Sequence, residues 1–81
     1  MKYVFRGWDI VINSGQQLRV IIDKDEKNLI IFDEDKDLFG WIYPSDFGNG
    51  FGMEKMSWSC SFHVLPDEKK IIVMSSNTVG E

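Results

Sequence analysis

One cysteine, one histidine, two prolines and two arginines are all that this chain of 81 residues contains of four informative residue types. Each shortage excludes something. Cys60 has no partner, so no internal disulfide can form and nothing points to an oxidising compartment. Cys60 and His63 are the only strong zinc-type side chains, and three residues apart on a strand they point to opposite faces. Two arginines, Arg6 and Arg19, are a poor start for a phosphate-binding face. No apolar run approaches the ~18 residues of a membrane span. Residues 1–9 lack the apolar stretch of a secretion signal. The cytoplasm is therefore the expected location. No linker, repeat or low-complexity segment interrupts the chain, which is expected to form one domain over residues 1–81.

What is present is apolar and acidic. Hydrophobic residues make up 43% and aromatics 14%, too much for a disordered chain. A domain this short buries only about 60% of the surface it exposes when unfolded, so its core is thin. The net charge is -4, and its placement matters more than its size. Residues 23–37 hold seven acids and three lysines, and acids and bases balance over the remainder. A field of this sign repels phosphate backbones and attracts basic surfaces.

The hydrophobic period is close to 2, with turn residues at short intervals, which predicts an all-β chain. The clearest alternation runs over residues 55–65. Trp58, Cys60 and Phe62 are expected in the core, and Ser59, Ser61 and His63 on the opposite, wetter face. Pro66-Asp67-Glu68 turns the chain into a strand over 69–75. Upstream, Ser14-Gly15 is expected to join residues 10–12 to 18–22 as a hairpin. Residues 18–22 then face 29–32 across an acidic turn. The register is Val20 with Ile31, Ile21 with Ile30 and Ile22 with Leu29, and both strands are apolar enough to be placed centrally. A second acidic turn leads to a strand over 38–43. The first strand spans 2–12 with a bulge at Gly7. The sum is a six-stranded antiparallel meander, forming a small barrel or a strongly twisted sheet.

Few residue constellations suggest chemistry. Asp33-Glu34-Asp35-Lys36-Asp37 opens like a calcium loop, but Leu38 stands where glycine is needed and Pro44 where a bidentate glutamate is needed. Ser59, Ser61 and His63 share one strand face without a residue to orient the histidine or an oxyanion hole. Cys60, on an apolar face, reads as a small hydrophobe. Gly48 to Gly52 is glycine-rich but has no following Lys-Ser/Thr and no helix to hold phosphate. Residues 40–47, Gly-Trp-Ile-Tyr-Pro-Ser-Asp-Phe, resemble the Gly-aromatic-aliphatic-Pro-Ser-x-aromatic run that ends many SH3 domains. An extra residue precedes the proline, and the early Ala-Leu-Tyr-Asp-Tyr segment is absent. Eight residues therefore carry the whole resemblance, and no binding residue is taken from it.

No catalytic, metal-binding or cofactor-binding residue is expected. The functional expectation is a protein-binding module, in its sharpest form a small acidic inhibitor of the immunity, antitoxin or phage-antagonist kind. It would act on a basic partner such as a nucleic-acid-handling enzyme. The candidate contacts are Asp25, Glu26, Glu34 and Asp35 on the acidic turns, with Phe47 and Phe51 in the glycine-rich loop if that loop presents its rings and does not fold them over the open end of the barrel, which is the favoured reading of the two rings. A barrel binding single-stranded nucleic acid, with Trp8, Trp41 and Trp58 stacking bases, is the alternative, disfavoured by the acidity. A self-associating subunit is the third reading.

Overall fold

The structure is a computed structural model that describes residues 1–75. Strand accounts for 56% of it and no α-helix is present among these residues. The elements are β1 (Lys2–Phe5), β2 (Trp8–Asn13), β3 (Arg19–Ile22), β4 (Leu29–Phe32), β5 (Leu38–Pro44), β6 (Phe51–Lys55), β7 (Cys60–Leu65) and β8 (Lys70–Ser75). A 3-10 turn over Pro66–Glu68 links the last two. The all-β expectation holds, but there are eight strands where six were expected, and no closed barrel forms among the described residues. They make two four-stranded sheets, β1-β2-β8-β7 and β3-β4-β5-β6. The chain is also not wholly antiparallel, because β2 runs parallel to β8, with Ile10 opposite Ile71 and Ile12 opposite Val73.

Three turns account for the differences. Arg6 (φ 52°) and Gly7 (φ 84°) both lie in the left-handed region. Positive φ at both central positions is the two-residue hairpin geometry that matches strand twist. The expected long first strand is therefore a hairpin, with Phe5 opposite Trp8, and not a bulged ribbon. The Ser14-Gly15 segment is no hairpin. It carries the chain from the first sheet to the second, because β2 is already paired on both sides by β1 and β8. The long strand expected over 55–65 is cut in two. Met56 and Ser57 both donate their N–H groups to the Phe39 carbonyl, each at 3.1 Å, and the Cys60 N–H closes a turn onto the Ser57 carbonyl at 3.0 Å. β6 thus ends in one sheet and β7 begins in the other.

That crossover flips the expected faces. Trp58 is 88% exposed while Ser59 is buried. The Ser57 hydroxyl accepts the Ser59 N–H at 3.3 Å, and the two hydroxyls lie 3.0 Å apart, so a serine-based turn replaces the ladder. Cys60 is buried as expected, Phe62 is partly buried against the core, and His63 is exposed.

The core lies between the sheets. Phe5, Ile10, Ile71 and Val73 from the first meet Leu29, Ile31, Phe39 and Ile42 from the second, all fully buried. Phe39 reaches it through a register shift between β4 and β5: Ile31 pairs with Gly40 but Phe32 with Leu38. The extra residue is Phe39, and the bulge turns its ring inward and its carbonyl toward Met56 and Ser57. The Val20–Ile31, Ile21–Ile30 and Ile22–Leu29 register is as expected. However, β3 is an edge strand, and only β4 of that pair is central. No helix among the described residues is long and apolar enough to cross a membrane.

Candidate functional site

The two acidic turns leave opposite ends of β4. The first follows Asp23, whose Oδ1 accepts the Lys27 N–H at 2.6 Å and whose Oδ2 accepts the Asn28 amide at 3.2 Å. These bonds, the Lys27 one above all, hold the Asp23 carboxyl below its ordinary pKa despite some opposing desolvation. Asp33 organises the second turn in the same way, its Oδ1 accepting the Asp35 N–H at 2.9 Å and the Asp37 N–H at 3.0 Å. Asp23 and Asp33 are thus the turn builders. Of the candidates, Asp25, Glu34 and Asp35 project into solvent and Glu26 is half-buried. The Glu26 carbonyl accepts a bond from Arg6 at 3.1 Å, which ties the β1–β2 turn to the first acidic turn.

The turns do not merge into one patch. From Asn28 to Asp33 the strand spans about 17 Å at ~3.4 Å per residue. That is roughly twice the screening length at physiological salt. The first turn holds three acids against two lysines, and the second four acids against one.

Between the turns lies an apolar surface. Ile21, Ile30 and Trp41 form one cross-strand row on the outer face of β3-β4-β5, and Phe32 faces Leu38 beside it. Ile21 is 45% exposed, and the other four are half-buried. Asn28, Ile30, Phe32, Leu38 and Trp41 line a shallow depression of about 410 Å³. A second, of about 210 Å³, is lined by Arg19, Ile21, Phe32, Asp33 and Lys36. Both acidic turns therefore border the apolar strip, through Asn28 at one end and Asp33 and Lys36 at the other. The outer face of the other sheet differs. There Lys2, Asp9, Asn13, Ser61, His63 and Lys70 interrupt the apolar positions.

The two loop phenylalanines separate. Phe47 is 81% exposed at the tip of the β5–β6 loop. Phe51 is 8% exposed and packs on Phe5 at 5.9 Å and, edge-on, on Trp8 at 5.0 Å. It is a core residue and leaves the set of candidate contacts. Sequence reasoning missed Ile21, Ile30, Phe32 and Leu38, and singled out Trp41 and Trp58 only as base-stacking rings. The signal was the run of apolar residues on both faces of β3 and β4, read as burial on both sides.

Two further groups have displaced pKa values. Burial raises the Cys60 thiol to about 11, against a smaller opposing effect of Lys55, so it stays protonated at neutral pH. The Tyr43 hydroxyl donates to Glu54 Oε2 at 3.3 Å, and desolvation, then the Glu54 charge, raises its pKa. Ser59 lies inside a turn and His63 on the opposite, open side of β7. Among the described residues no three His, Cys, Asp or Glu side chains converge as a metal ion requires. No family model, curated protein or solved structure matches the chain.

Proposed function

We propose that this chain is a non-enzymatic protein-binding module that docks through the outer face of β3-β4-β5. The observation that carries the reading is an exposed apolar strip, Ile21-Ile30-Trp41 with Phe32 and Leu38, closed at each end by an acidic turn. Apolar area supplies affinity once water leaves, and the charges select what approaches. The complementary partner is a protein surface with an apolar centre and basic residues toward both ends. Nucleic acid fits poorly, because Trp41 and Phe32 could stack bases only where acidic turns repel the backbone. A second copy stacked face to face fits poorly too, since each acidic turn would meet another. The sharpest form of the reading is an inhibitor that occupies the basic surface of a nucleic-acid-handling enzyme, as immunity proteins, antitoxins or phage antagonists do.

The test is capture on the immobilised full chain at low and high salt, with an Ile30→Ser/Trp41→Ala variant in parallel. The expected result is a protein captured by the wild type, captured more slowly as salt rises, and not retained by the variant. Retention that ignores the variant overturns the docking face. Recovery of nucleic acid in place of protein favours the second reading.

A further inference from the structure

The strip ends on an open edge. β3 is the outermost strand of its sheet, and among the described residues no backbone hydrogen bond joins it to β1, the neighbouring edge of the other sheet. Proteins commonly blunt such edges with short strands, charged side chains, proline, bulges or inward charges. β3 reads Arg19-Val20-Ile21-Ile22: it is short and carries one outward charge, but no proline, bulge or inward charge interrupts it. β6, at the far edge of the same sheet, carries Glu54 and Lys55.

The register states which groups are unpaired. The Asp23 N–H donates to the Asn28 carbonyl, so Asp23 and Asn28 form a hydrogen-bonded pair. Alternation makes Ile21–Ile30 and Arg19–Phe32 hydrogen-bonded pairs as well. Val20 and Ile22 therefore direct their N–H and C=O groups away from β4, to the open edge. Arg19, Ile21 and Asp23 share the outer face by the period of two. Arg19 is exposed and makes no ion pair among the described residues. Asp23 is held in place by Lys27 and Asn28.

We infer that β3 pairs antiparallel with β3 of a second copy of this chain, joining the two outer faces into one eight-stranded sheet. Bonding Val20 to Ile22 of the second copy, and the reverse, places Ile21 opposite Ile21 on the two-fold axis. The same register places Arg19 of each copy opposite Asp23 of the other, twice over. No other pairing of these groups opposes the unpaired arginine to the fixed carboxylate on both sides of the axis. This contact uses a different surface from face-to-face stacking and keeps the apolar strips of both copies available. It stands independently of the proposed partner binding.

Sedimentation of the full chain over a concentration series to the millimolar range tests it, at low and high salt. The expected result is a reversible dimer, weakened by salt. Arg19→Asp and Asp23→Arg should each abolish the dimer, the first by opposing Asp to Asp and the second Arg to Arg. Mixing the two variants should restore it, because every cross-strand pair is then complementary. Asp23→Arg also removes a turn acceptor, so Ile21→Cys supplies a second measurement. Directly opposite residues in a non-hydrogen-bonded pair lie about 4.5 Å apart at Cα, within disulfide range. Cys60 is buried and does not compete. Under mild oxidation Ile21→Cys should become a disulfide-linked dimer far faster than Phe47→Cys, which is more exposed. A wild-type chain that stays monomeric throughout, or equal crosslinking rates for the two cysteine variants, overturns the proposal.

Discussion

A methyl group added at Gly40 would stand 2.8 Å from the Glu54 carbonyl, 3.1 Å from Cys60 Sγ and 3.2 Å from the Phe62 ring. Backbone on one side and core on the other leave it nowhere to go. Gly40→Ala should cost about 1–3 kcal/mol, as overpacking does, read as a lower denaturant midpoint with unchanged slope. Gly52 differs, since a Cβ there would overlap only the outer end of the Tyr43 ring, a half-buried side chain that can swing aside. Phe51 and Phe47 give the sharpest contrast at this scale. Phe51→Ala opens a gap among Phe5, Trp8 and the core and should cost about 3–5 kcal/mol. Phe47→Ala, at the exposed loop tip, should stay within about 0.5 kcal/mol. Urea unfolding of both variants separates the roles. In the sequence the two residues look equivalent, each next to a glycine. Only the reach of β6 back to β1 and β2 distinguishes them, and that is long-range information. Cys60 was legible because its burial follows from β7 alone.

The turns after β3, β4 and β7 were legible at the element scale, while the tight Arg6-Gly7 hairpin and the crossovers between the sheets were not. The β3–β4 register follows from a symmetric turn and two apolar strands, both local in sequence. Residues 55–65 misled because Met56 and Trp58, exposed on the crossover, continue by coincidence the alternation of Cys60, Phe62 and Val64. The parallel β2–β8 pair joins strands more than fifty residues apart and leaves no local mark. The acidic turn after β3 carries its own pH dependence. Its organiser, Asp23, has a carboxyl pKa lowered in the fold, chiefly by the Lys27 N–H. A depressed folded pKa stabilises fully above the unfolded carboxylate value and loses that contribution as pH falls through the folded one. Unfolding midpoints should therefore drop on acidification through and below the ordinary aspartate range. Asp23→Asn, which keeps an oxygen acceptor but cannot titrate, should flatten that drop. An unchanged acid profile in Asp23→Asn would show that the pH dependence resides elsewhere.

Across the whole molecule, the unequal charges of the two turns make the docking proposal directional. The turn after β4 carries a net -3 and the turn after β3 a net -1, at opposite ends of one apolar strip. Their separation exceeds the screening length at physiological salt, so a partner feels them as two sources of unequal strength. Steering acts on encounter, where long-range attraction raises the association rate. It contributes little once the apolar surfaces meet, because exposed charges at a rim are screened by water. Glu34→Gln/Asp35→Asn takes its turn from -3 to -1 and Asp25→Asn/Glu26→Gln takes its turn from -1 to +1, so each removes two charges and each should slow association with the captured partner. Each should also flatten the salt dependence. Dissociation should change little in either case. Ile30→Ser/Trp41→Ala should do the reverse, speeding dissociation while leaving association and its salt dependence nearly intact. Stopped-flow or surface-based kinetics at several ionic strengths resolve all four effects. Slowing by one charge variant alone would mean that the partner's basic residues meet only that end of the strip. Loss of affinity carried by dissociation in the charge variants would mean that the turns make buried contacts, and the apolar strip would no longer be the centre of the interface.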